Sequence, residues 1–313
     1  MARPLLYTDN IMLIGSCFTE HISERLQHHK FSVLQNPHGI LFNPLSVAAS
    51  LDSYIDNKRY TAGDLFCLNK LHNSWDHHTR FSHTDAGKAL EGINASQTEA
   101  AEFIRRADCL IVTLGSAFQY YLKEGKRHVA NNHRAPAQWF EKRLLGIDEM
   151  VTALSGTLDR LFALNPHVQV VFTISPVRHI RDGVIDNNRS KGRLIDAVHT
   201  LCERYMRASY FPAYELIIDV LRDYRYYDVD FVHPNYLATS YVWEQFTQNC
   251  IARPAQELMK TVHEIVVARS HRPRFPDTEA HQRFLHSYAT KVRLLMEQHP
   301  YLDMKEMLAY FGG

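Results

Sequence analysis

Two stretches of the chain carry side chains that could attack and break an acyl bond. The first, IMLIGSCFTEHISERL at residues 11–26, reads as an apolar strand, a tight glycine turn, and a helix with Phe18, Ile22 and Leu26 on one face. Gly15 permits a sharp turn, and the free backbone N–H groups opening the helix favour a thiolate or a developing oxyanion. Ser16 or Cys17 could be the nucleophile. The second stretch, YYDVDFVHPNYLATSYVWEQF, sets Asp230 three residues before His233 on a turn entering another helix. At that spacing the carboxylate can orient the imidazole, whose other nitrogen is then free to act as general base. Alone, a Gly-Ser-Cys turn also describes an ordinary helix cap, and an Asp and a His three apart also occur on solvated loops. Their weight comes from being taken together.

The elements that would have to bring them together are short apolar runs: Ile11–Ile14, Phe31–Leu34, Cys109–Leu114, Val168–Ile174 and Tyr214–Val220. Between them lie segments with helical spacing, such as Ile147, Val151, Leu154, Leu158 and Leu161, or Leu194, Val198, Leu201 and Tyr205. Strands alternating with helices predict a three-layer, flavodoxin-like α/β fold with a central five-stranded parallel sheet. In such sheets ligands bind beyond the carboxyl ends of the strands. The residues there are polar: Gly15-Ser16-Cys17, Gly115-Ser116, and Ser175-Pro176-Val177-Arg178-His179. Arg178 and His179 would face the crevice, where an arginine could hold a carboxylate, a phosphate or a sugar hydroxyl.

The main α/β domain is expected over residues 1–270, with an insertion at about 55–85 and a helical extension over 271–313, broken at Pro300. The insertion carries LHNSWDHHTRFSH and is expected to form a hairpin or ordered loop over the site. Its residues His72, Asp76, His77, His78 and His83 lack the ligand spacing of a zinc site, so no metal is expected, and no cofactor. A formal charge of +1, without a basic stripe, argues against nucleic acid as a partner. The first apolar run is too short for a signal-peptide core or a membrane span, and five scattered cysteines show no CxxC spacing. A cytoplasmic protein with reduced thiols, not associated with membranes, is the expectation.

GSCFTE, NPHGILFNP, SPVRHIRDG with the following NNRSKGRL, and LRDYRYYDVDFVHP together resemble the GSCFA-domain family over about residues 11–260. The early turn served by a late Asp-x-x-His also resembles the SGNH/GDSL hydrolases, with GSCF in place of GDSL. That resemblance implies an ester hydrolase or O-acyltransferase acting on an acylated carbohydrate or small molecule. In the GDSL register Cys17 is the nucleophile, with Ser16 the alternative. The family's oxyanion asparagine has no counterpart in the loop Gly115-Ser116-Ala117-Phe118, so Ser116, Asn43, or backbone N–H groups near Gly39, Gly115 and Cys17 would have to substitute. A degenerate SGNH fold that binds a ligand or regulates without turnover is the competing expectation.

Overall fold

The computed structural model describes residues 3–312. Its central sheet has five parallel strands: β1 (Asn10–Gly15), β2 (Ser32–Gln35), β5 (Cys109–Leu114), β9 (Gln169–Ile174) and β10 (Ala208–Phe211), in the order β10-β9-β5-β1-β2. Ile11 lies opposite both Val33 and Cys109, and Gly15 opposite Thr113, so β1 and β5 end side by side. Side chains alternate between two apolar clusters, as the period of a strand requires. Ile11, Leu13, Ile111 and Val171 enter one cluster; Met12, Ile14, Val112 and Phe172 enter the other.

The first face is covered by α1 (Phe18–His28), α7 (Tyr236–Cys250) and α8 (Arg253–Ser270) through Phe18, Leu26, Val242, Phe246 and Met259. The second is covered by α2 (Pro44–Ile55), α3 (Ala86–Arg106), α4 (Ile147–Leu164) and α5 (Val184–Arg204) through Leu51, Ile104, Leu158 and Leu194. The expected three layers are therefore present. Two further helices, α9 (Glu279–Gln298) and α10 (Lys305–Gly312), flank Pro300 as expected, and join the first cluster through Val292, Leu295, Met307 and Phe311.

The fifth strand differs from the expectation. It is Ala208–Phe211, paired with Val170–Thr173, whereas Tyr214–Val220 curls into a helical turn α6 (Ala213–Glu215) and a π-helical turn over Leu216–Leu221. Pro212 removes an amide donor straight after Phe211 and ends the ladder, and an apolar run of that length reads equally well as helix or strand.

The insertion does form a hairpin, β3 (Leu65–Leu68) and β4 (Leu71–Ser74), closed by Asn69 and Lys70, both with positive φ. A second insertion, unforeseen, is an antiparallel sheet of β6 (Phe118–Leu122), β7 (His128–Val129) and β8 (Phe140–Leu144), in the order β7-β6-β8.

Candidate active site

The turn from β1 into α1 is built around Gly15, whose φ is +140°, where a Cβ would sit 2.1 Å from the Thr113 carbonyl oxygen. Its N–H donates to the buried Asn36 Oδ1 at 2.9 Å, and the Ser16 N–H donates to the Thr113 oxygen at 3.0 Å. The turn is thereby pressed against β5, and Gly15→Ala is expected to destabilise the fold by about 3 kcal/mol or more, as clash and backbone strain add. Denaturant titration checks this; a loss below about 1 kcal/mol contradicts that account of the turn.

The same geometry separates the two possible nucleophiles. Ser16 is 1% exposed, and its Oγ is buried without a hydrogen-bond partner. Cys17, one residue on, lies at the N-terminus of α1 and lines a cleft of about 700 Å³ at the carboxyl ends of the strands. Burial and the nearby Glu20 carboxylate push the thiol pKa up, outweighing the Phe18 and Cys17 N–H groups that pull it down. The helix end alone does not hold a thiolate there, contrary to what the sequence suggests.

In the same cleft, His233 Nδ1 lies 2.6 Å from Asp230 Oδ2, while Asp230 Oδ1 accepts the backbone N–H groups of Val232 and His233. The bond from the His233 ring, followed by those two N–H bonds, holds the Asp230 pKa at about 2, so it is ionised at any physiological pH. Nδ1 is engaged, which leaves Nε2 for the cleft. Phe231, between the pair, has φ +57°, a conformation rare for an aromatic residue that turns the chain sharply enough to bring acid and ring together.

Of the residues anticipated from sequence, Cys17, Asn43, Ser116, Arg178, His179, Asp230 and His233 all line this one cleft. Ser16, Gly39 and Gly115 do not. Gly39, with φ +79°, is packed against His78, where a Cβ would lie 2.2 Å from that residue's own Cβ; its role is steric. The N–H groups of Gly115 and Ser116 both donate to the Phe42 carbonyl, and Ser116 Oγ is held between the Phe118 N–H, from which it accepts, and Ser190 Oγ, so this loop has spent its backbone donors. Asn43 has not. As N-cap of α2 it accepts the Ser46 N–H on Oδ1 at 2.9 Å, which fixes the amide, and its Nδ2 has no acceptor among the described residues. The N–H groups of Cys17 and Phe18 likewise donate to no main-chain carbonyl.

Those three N–H donors are candidates to receive a developing oxyanion. Asn43→Asp, which keeps the cap but removes the amide donor, is expected to lower kcat about 100-fold with little change in KM. Steady-state kinetics on a short acyl ester check this, and a larger effect on KM than on kcat contradicts it.

Sequence reasoning passed over one residue beneath the cleft, Lys191. It is 1% exposed, and its Nζ donates to the carbonyls of Gly115 and Ser175, each at 2.6 Å, tying together the loops after β5 and β9. Burial pushes its pKa down to about 7, with the Cys17 charge opposing. A signal was present: Lys191 falls on the buried stripe of α5 with Asn187, Leu194, Val198 and Leu201. His179, close by, is held neutral by burial with a pKa of about 4, and its N–H donates to Asn187 Oδ1 at 2.9 Å.

The histidine-rich insertion is not a cover for this cleft. His77 stacks on the buried His38, which sits between the hydroxyls of Tyr54 and Tyr60, and His72 pairs with His83. Among the described residues no three His, Cys, Asp or Glu side chains are grouped to hold a metal ion. Part of the cleft wall comes instead from the second insertion, through Phe118, Tyr120, Asn131, Asn132 and Lys142.

Fold and cleft together define a three-layer, flavodoxin-like α/β protein with a Cys, His and Asp gathered at the carboxyl edge of its sheet. The chain belongs to the GSCFA family, whose model matches residues 10–246, and the C-terminal domain of GSCFA domain proteins matches residues 262–312. No curated protein matches the chain.

Proposed function

We propose that the chain is an acyl-transfer enzyme of SGNH/GDSL type, an ester hydrolase or O-acyltransferase with Cys17 as nucleophile. The observation that carries this reading is that Cys17 and the Asp230–His233 pair line the same cleft. His233 Nε2 takes the Cys17 proton and the thiolate attacks the acyl carbonyl, while the N–H groups of Cys17 and Phe18 and the Asn43 amide receive the oxyanion. The imidazolium then protonates the leaving oxygen. An acyl thioester on Cys17 remains, which water or an acceptor hydroxyl discharges with His233 again as base.

The substrate is proposed to be an acylated carbohydrate or other small molecule, not nucleic acid or a membrane. A net charge of +1 is in keeping with this, and no helix among the described residues is long and apolar enough to cross a membrane. All five cysteines are free, which fits a reducing, cytoplasmic setting.

A panel of short acyl esters and acyl thioesters tests the proposal, with peptide mapping of the acyl adduct. Turnover with the adduct on Cys17 supports it; an adduct on Ser16 moves the nucleophile. Saturable binding without turnover favours the second reading, a ligand-binding or regulatory module. The upward push on the thiol and the spent donors of the Gly115 loop are the observations on that side.

A further inference from the structure

The charged side chains lining the cleft are unequally matched. Asp182 is paired with Lys142 and Asp230 with His233, whereas no carboxylate among the described residues lies within ion-pair distance of Arg178 or Arg181. Arg178 is nevertheless held in place. Its N–H donates to the Val232 carbonyl at 3.2 Å, tying its loop to the one that carries His233. Its guanidinium carbon lies 4.4 Å from the centre of the Tyr227 ring and 5.1 Å from that of Tyr224.

Stacking on aromatic faces uses the π surface of a guanidinium and leaves its in-plane N–H groups available. The Tyr224 and Tyr227 hydroxyls lie within reach of that edge, but among the described residues no carboxylate pairs with it, and two phenols cannot use all five guanidinium N–H groups. A positioned guanidinium with unspent donors, beside a general base, fits a planar or tetrahedral oxyanion.

We infer that Arg178, with Arg181 at the rim, forms a subsite for a carboxylate or phosphate carried by the substrate away from its reacting carbonyl. The inference rests on the acyl-transfer reading only for what lies beside that anion. It narrows the substrate class to anionic esters or thioesters. His179, kept neutral, adds no charge to the subsite, so the selectivity falls on the arginines.

Alkylation of the full chain by iodoacetate and by iodoacetamide, reagents of nearly equal size, tests this with no need for turnover. The exposed thiol of Cys67 is the internal standard, read in the same peptide maps. The iodoacetate-to-iodoacetamide rate ratio at Cys17, relative to Cys67, is expected to be about tenfold in favour of the anion. It should shrink in about 0.5 M salt and fall to the Cys67 value in Arg178→Gln.

Isothermal titration with inorganic phosphate and with succinate gives a second readout, independent of thiol reactivity. Binding of either, weakened about tenfold in Arg178→Gln, supports the subsite, and which of the two binds distinguishes phosphate from carboxylate. Equal relative rates at the two cysteines together with no saturable binding of either anion overturn it. So does any preference that persists unchanged in both Arg178→Gln and Arg181→Gln. The two readings fail separately: esters turned over with the same kcat/KM for neutral and anionic forms, in wild type and Arg178→Gln, remove the subsite and leave the enzyme. Anion binding lost in Arg178→Gln, with no ester hydrolysed, does the reverse.

Discussion

Cys17→Ala and His233→Ala are each expected to lower kcat on a short acyl ester by about 10⁴-fold, and the double variant to be no slower than either single one. The thiol is pushed above its ordinary range by burial and by Glu20, so it does not ionise unaided at neutral pH. Without the base, little of the nucleophile exists; without the thiol, the base has nothing to activate. Asp230→Asn leaves a neutral amide where a carboxylate accepts three hydrogen bonds, and a loss of about 10³-fold is expected from the misoriented ring. In His233→Ala, alkylation of Cys17 should keep climbing into the alkaline range as the thiol ionises without help. Losses that multiply in the double variant would show that the two residues do not work as a unit, and the mechanism would fall.

Lys191→Met is expected to change both chemistry and stability. The lysine holds two carbonyls at the carboxyl ends of β5 and β9 and, while protonated, weakly favours the Cys17 thiolate. Because it releases its proton at about pH 7, its loss should lower kcat/KM about tenfold at neutral pH, mainly through the freed loops, and leave the alkaline alkylation profile of Cys17 unchanged.

The pH dependence of stability follows from the same group. In the unfolded chain Lys191 keeps its proton up to about the ordinary lysine value of 10.5, whereas in the folded chain it releases it at about 7. Between those values the unfolded state binds more protons, so stability should rise with pH across that window, by up to about 5 kcal/mol; below it this group contributes no slope. Denaturant titrations at pH 7 and at about pH 9.5, compared between wild type and Lys191→Met, isolate the contribution. Parallel curves for the two proteins would show that the lysine is not titrating in the fold.

The contrast between Lys191 and Asp230 explains what could be read in advance. Asp230 and His233 are three residues apart, so their contact is a local property of the backbone, helped by the left-handed Phe231. Gly15 is legible for a similar reason, since a glycine at the end of an apolar strand marks a turn that other residues resist. Lys191 sits among Arg189 and Arg193, and a basic run on a helix looks solvated until α5 is laid across the sheet. NPHGILFNP was recognisable, but its division of labour was not: Asn36 pins Gly15, His38 fills a buried aromatic nest, Gly39 makes room for His78, and only Phe42 and Asn43 reach the cleft.

What residue order alone determined is the set of local features: apolar runs that become β1, β5 and β9, helices of 3.6-residue period between them, a glycine turn with a thiol after it, and an acid paired with its imidazole. Alternation of strand and helix was enough to imply a parallel sheet and a polar carboxyl edge. Tertiary structure decided the rest. It chose which of two adjacent side chains meets solvent, by pressing the Ser16 backbone onto Thr113; it made the second insertion, not the histidine-rich one, a wall of the cleft; and it turned Lys191 inward beneath the site. These outcomes depend on contacts between segments far apart in the chain, formed only when helices and insertions dock on the sheet, and local spacing at most hints at them, as the apolar stripe of α5 does for Lys191.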